Sequence, residues 1–219
     1  MFETSSFIFY IISLVIAITI HEFAHAFVAD YLGDPTPRLQ GRVTLNPLAH
    51  LDPLGSLLLF IAHFGWGKPV QFDPFNLRNP RRDAALISLA GPGINLVAAI
   101  ICSVLLHLLL LIVNPSLPKI VPAAELEIGN LLAALITTNC VLAVFNLIPI
   151  HPLDGFKIVG GWLNPEQARE WYSLERYGII FLIFLLFPFF GSTAPISHLL
   201  DPVLRFLFNL LLPGRIGVI

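Results

Sequence analysis

Charge is what this sequence has least of. There are 12 Lys and Arg and 14 Asp and Glu in 219 residues, 12% of the chain, where an ordinary globular domain carries roughly 25%. So few ionic side chains cannot cover a water-soluble globule, and the mean hydropathy of +0.82 agrees. The composition is that of an all-α polytopic membrane protein whose solvent is a lipid bilayer. Basic residues are not in excess either: the formal charge of −2 leaves no face to hold a phosphate backbone, which excludes nucleic acid as a partner. Only two cysteines occur, Cys102 and Cys140. Both lie in apolar runs and far apart, so they read as small buried hydrophobes rather than a metal knuckle. Repeats, low-complexity tracts and long linkers are missing as well, so residues 1–219 read as one integral-membrane domain.

What is present is a series of long apolar blocks. Thr4 to Ile20 carries no charge, and with His21 to Ala29 continuing the same helix it reaches about 37 Å. A cleaved leader would need a basic start, and the only early charge is Glu3, so residues 5–30 are expected to form span one. Further spans are expected at about 84–113, 128–150 and 177–198. The second contains Gly91-Pro92-Gly93, which permits a kink or a close helix approach. The fourth is divided by Pro188, Gly191 and Pro195 and leads toward one or more additional C-terminal helices around Arg205.

Between spans one and two the chain is too polar to face lipid. Leu54 to Trp66 is apolar but short, which predicts a re-entrant or interfacial segment. Leu39 to Leu45 and Lys68 to Phe72 partly alternate with period two, which predicts a small β element at the membrane surface. Arg38, Arg42, Lys68, Arg78, Arg81 and Arg82 lie in this segment, and Lys157, Arg169 and Arg176 follow span three. The loop after span two has only Lys119. The positive-inside tendency therefore predicts a cytoplasmic location for the first two groups and an external N-terminus.

At the cytoplasmic end of span one stands His21-Glu22-Phe23-Ala24-His25. On a helix, residues four apart share a face, so both imidazoles can reach one tetrahedral ion while Glu22 stays beside a ligand water. Such groups are costly to bury in a membrane helix unless something uses them, and a dication would let Glu22 stay ionised. A hydrolytic zinc site needs a third protein ligand and one open position. The best candidate is Asp154, in Asn146-Leu147-Ile148-Pro149-Ile150-His151-Pro152-Leu153-Asp154-Gly155 at the end of span three. Two prolines break the helix there and Gly155 lets the chain turn, which allows an inward-facing carboxylate.

These two elements, in order and on separate spans, resemble the site-2 protease family of intramembrane zinc metalloproteases. The likeness extends to Gly41-Arg42-Val43-Thr44-Leu45-Asn46-Pro47, Phe64-Gly65-Trp66-Gly67-Lys68-Pro69-Val70, Arg78 to Asp83, and Ala90-Gly91-Pro92-Gly93-Ile94-Asn95, as in the compact prokaryotic branch without a PDZ domain. The resemblance implies a three-helix catalytic core and one zinc ion per chain, held by His21, His25 and Asp154. It implies Glu22 as general base, and Asn146 as a donor to the oxyanion or the substrate backbone. The expected substrate is a transmembrane protein or peptide in a prokaryotic plasma membrane, cut near the cytoplasmic side in regulated intramembrane proteolysis. His151 stands where many relatives have proline and is expected to have no chemical role. Asn95 is expected to bond between helices, His50 and His63 to lie at the interface, and His107 to be a packed polar residue. A catalytically silent membrane scaffold and a metal transporter are the competing readings; a transporter would want more His and acidic groups along several helices.

Overall fold

The computed structural model describes residues 4–62, 65–112, 123–189, 191 and 193–213. His63 and Lys119, on which two of the expectations above rest, lie outside the described residues. The long helices form where the apolar blocks are. Helix α1 runs Thr4–Tyr31, uninterrupted by Gly or Pro, and at 28 residues is about 42 Å long. Helix α4 spans Pro80–Ile112 and α5 spans Ala123–Asn146. Three stretches among the described residues are long and apolar enough to cross a membrane: Ser6–Tyr31, Pro80–Ile112 and Glu127–Asn146. Their outer faces carry exposed Ile8, Ile12, Ile16, Ile100, Val104 and Leu108, as expected of a lipid-facing surface.

Helix α4 is the centre of the assembly and packs on α1, on α5 and on α6 (Asp154–Trp162), while α1 also packs on α5. Its N-terminus is fixed by a reciprocal pair of bonds: Asn79 N donates to Asp83 Oδ2 and Asp83 N to Asn79 O, both at 2.8 Å. One core cluster joins Ala99 and Leu106 of α4 to Ile136 and Cys140 of α5 and to Leu211 at the end of α9 (Pro195–Leu211). Ser103 Oγ strengthens that corner by donating to Leu211 O at 2.6 Å. Leu14 and Ile18 of α1 pack against Leu142 of α5.

Two expectations need correction. No strand occurs among the described residues; the one pairing of this kind is an isolated antiparallel bridge between Leu51 and Gly67. Of the first segment only Leu39 is helical, as the last residue of α2 (Thr36–Leu39), and the rest turns, with Arg42 N bonded to Pro37 O and Thr44 N to Arg42 O. In the second, Lys68 N donates to His50 O at 2.7 Å as part of that isolated bridge and Val70 N to Glu22 Oε2 at 2.9 Å, so the pairing stops after one bridge because the next N–H is taken by a side chain. The apolar piece beside them is helix α3 (Pro53–Ala62), at about 15 Å too short to cross a bilayer.

The second correction concerns span four. Helix α8 covers only Gly178–Leu186, Phe187 is extended, and the chain restarts as α9 at Pro195. Pro188 and Pro195 remove donors and force the preceding residues out of helical geometry. Between α5 and α8 the chain forms α6 and then α7 (Pro165–Ser173), opened by a capping box between Asn164 and Gln167. An aspartate anchors the loop between α1 and α4: buried Asp34 accepts from Thr36 N and Oγ1, Asn76 Nδ2 and Asp73 N. Burial works against the Asp34 charge, but these four bonds outweigh it and hold its pKa below the usual carboxylate range.

Candidate metal centre

The i, i+4 spacing in α1 places His21 and His25 one above the other on the face turned to α4, and both are buried. Helix α5 ends at Asn146; a turn then closes with Ile150 N on Ile148 O and Leu153 N on Ile150 O, both at 2.8 Å. Helix α6 begins at Asp154. Its first-turn position puts the carboxylate at the positive end of the helix dipole. Gly155 makes the turn possible, because a Cβ there would lie 2.5 Å from Ile148 O and closer still to Leu147 O.

The result is a triangle of three ligand atoms. His21 Nε2 and His25 Nε2 are 3.0 Å apart, and Asp154 Oδ2 lies 3.1 Å from the first and 3.2 Å from the second. The far side of each ring decides what faces inward. His25 Nδ1 is 2.7 Å from the Ile87 carbonyl, which can only accept, so Nδ1 carries the proton. His21 Nδ1 is 2.6 Å from Asn95 Oδ1. The Asn95 amide is oriented by its own donors, Nδ2 to Ala17 O at 3.0 Å and to Asn139 Oδ1 at 2.8 Å, so its oxygen faces His21 and that Nδ1 is protonated too. Two imidazole lone pairs therefore converge on a carboxylate oxygen that is buried and has no hydrogen-bond partner.

That arrangement fits a metal ion. Three electron-rich atoms in mutual contact repel one another unless a cation lies between them. For metal–ligand bonds of about 2.0–2.1 Å, the edges of a tetrahedron are about 3.3 Å, close to the three separations here. The second nitrogen of each imidazole is held by a carbonyl or amide oxygen, as metal-ligating histidines require. Among the described residues His21, His25 and Asp154 are the one such group. Gly91 lets α4 approach: a Cβ there would stand 2.7 Å from His21 Cε1 and closer to His25 Nε2.

Glu22 stands beside this triangle, largely buried, with Oε2 accepting from Val70 N and 3.9 Å from Arg42 Nη2. Asn146 is not brought to the triangle by any hydrogen bond; its Nδ2 donates back to Leu142 O at 3.0 Å within α5. His151 faces elsewhere, with Nδ1 3.6 Å from Glu175 Oε1 and its ring edge-on to Phe156. Asn95 links three helices, as expected, but its bond to His21 was not readable from sequence, nor was the role of Asn139 behind it. His50 is fully buried in the loop, with Nε2 bonded to Thr44 O at 2.7 Å. His107 is exposed on α4 and bonds Ser103 O of its own helix at 2.8 Å.

Comparison with known proteins identifies the family. The sequence profile of Peptidase family M50 matches residues 112–185, the stretch that contains Asp154. The provisionally named zinc metalloprotease YwhC of Bacillus subtilis is 37% identical over 179 residues, 81% of this chain and 80% of YwhC. This chain belongs to Peptidase family M50, the site-2 protease family. Two further M50 relatives are the provisionally named zinc metalloproteases Rip2 of Mycobacterium tuberculosis and of Mycolicibacterium smegmatis. They are 32% and 33% identical, over 82% of this chain and 66% and 67% of their own lengths. No solved structure gives a significant match to the chain. The M50 membership and the three membrane-length helices make it an integral membrane protein.

Proposed function

We propose that this protein is an intramembrane zinc metalloprotease, a single domain over residues 1–219 that cuts peptide bonds in or near transmembrane segments. The observation that carries the reading is the orphaned Asp154 oxygen facing two imidazole lone pairs. His21, His25 and Asp154 would hold one zinc ion per chain and leave a fourth position open, the donor set of a hydrolytic site. When bound, zinc supplies a Lewis acid that polarises a peptide carbonyl and brings water's acidity near neutral pH.

The chain's own residues do the rest. Glu22 accepts a proton from the attacking water and returns it to the departing amine. The Val70 N–H on Oε2 keeps that carboxylate oriented and leaves Oε1 to take the proton. Asn95 and the Ile87 carbonyl keep the two imidazoles in the ligating tautomer. Asn146 ends α5 just before the turn to Asp154, and its Oδ1 and amide serve a bound substrate strand or oxyanion once the bond to Leu142 O is exchanged. A transmembrane helix must unwind before its peptide bonds are open to attack, which favours substrates with helix-weakening residues, as in regulated intramembrane proteolysis. The likeness to bacterial relatives favours a prokaryotic plasma membrane location, and the loop charges favour the N-terminus outside and the site toward the cytoplasm.

The test is zinc content and cleavage of a model transmembrane peptide by wild type and Glu22→Gln in detergent. The variant is expected to keep about one zinc per chain and to lose about 10²- to 10⁴-fold in turnover. Equal cleavage by both would contradict the mechanism, and a scaffold would be indifferent to the change.

A further inference from the structure

Arg42 is a buried cation, 4% exposed, in the loop between α1 and α4. Burying a guanidinium is costly unless its donors are used, and here both terminal nitrogens are used, on two separate pieces of chain, while Nε is buried without a partner. Nη1 donates to Ala49 O at 2.6 Å, and Nη2 donates to Lys68 O. The carboxylate that faces it is Glu22, 3.9 Å away. Two residues beyond Lys68, the Val70 N–H makes the 2.9 Å bond to Glu22 Oε2. The 65–70 segment reaches α1 closely, since a Cβ on Gly67 would stand 3.7 Å from Glu22 Cγ.

We propose that Arg42 is a positioning residue for Glu22: its guanidinium ties the Ala49 and Lys68 carbonyls together so that the Val70 amide is held against the Glu22 carboxylate. The inference rests on the reading of Glu22 as the base. The planar fork of arginine can satisfy two carbonyls at once and still face a carboxylate, whereas a lysine ammonium is a single point donor on a flexible stem. Arg42 has no hydrogen bond to His21, His25 or Asp154, so its removal leaves the metal ligands in place. It acts on the orientation of one carboxylate.

The experiment compares wild type, Arg42→Lys and Arg42→Gln as full-length, zinc-loaded protein in detergent. Zinc per chain, kcat and KM for a transmembrane model peptide, and hydrogen exchange at the Val70 amide are measured together. Zinc and KM are expected to stay within about twofold, while kcat falls about 10- to 100-fold and Val70 exchange accelerates at least tenfold in both variants. Arg42→Lys keeps charge and most of the volume, so it reports even where Arg42→Gln fails to fold. Unchanged kcat in Arg42→Lys, a loss of kcat with Val70 protection intact, or loss of zinc would each overturn the proposal. Glu22→Gln run alongside separates the two claims: full activity there refutes the base itself, whereas an inactive Glu22→Gln beside fully active Arg42 variants refutes only the positioning role.

Discussion

His21 keeps its Nε2 lone pair aimed at Asp154 because its other nitrogen is committed to Asn95 Oδ1, and that oxygen is aimed because the Asn95 amide is committed to Ala17 O and Asn139 Oδ1. The chain of bonds fixes a tautomer without touching the place a metal would occupy. Asn95→Leu is therefore expected to weaken zinc binding about 10- to 100-fold, read by competition with a chelator of known affinity. Unchanged affinity would show that the ring is oriented by packing alone. Much of this site was legible in the sequence. HEFAH at helical spacing gives two imidazoles on one face, and the broken, glycine-ended segment after span three points to Asp154. What could not be read is what lies behind those groups. Asn139 and Arg42 touch the site through partners 44 and 26 positions away in the chain, and no periodicity encodes such contacts. Arg42 counted in the sequence as one of several loop cations and as part of a family-like stretch without an assigned role, and its burial reveals the rest.

At the level of elements, the helices were legible because lipid demands long apolar runs, and prolines and polar caps end them. The loop between α1 and α4 was not, because alternation of side chains predicts a strand only when the backbone finds a neighbouring strand to pair with. Here the Val70 amide pairs with Glu22, and a turn centred on Asp34 draws residues 73–76 onto the end of α1. Asp34 holds that junction as a carboxylate. With its folded-state pKa below the ordinary value near 3.8, the charged form contributes stability that is fully present above about pH 4 and is lost as pH falls through the folded-state value. Asp34→Asn is expected to cost about 1 kcal/mol at neutral pH, the difference between charge-assisted and neutral bonds. Thermal unfolding in detergent from pH 3 to 7 should show the two proteins converging only below about pH 4. A gap that stays constant across that range would contradict the assignment.

For the whole molecule, the candidate centre is a meeting point rather than a local motif. Its ligands come from α1 and α6, and the groups that orient or admit them come from α4 and α5: Ile87, Gly91, Asn95 and Asn139. Site and helix assembly are therefore linked, and a metal that binds only the folded arrangement stabilises it. Among the described residues three helices are of membrane length, and the fourth span expected from hydropathy is replaced by a shorter C-terminal pair, α8 and α9, with α9 closing the core against α5. The central claim is that His21, His25 and Asp154 together hold one zinc ion. It is tested most directly by the zinc content of purified wild type beside His21→Ala, His25→Ala and Asp154→Ala. The account predicts about one zinc per chain in wild type and little in each variant, because a site with three protein ligands does not keep zinc on two. Stoichiometric zinc in any of the three variants, or none in wild type, would contradict it.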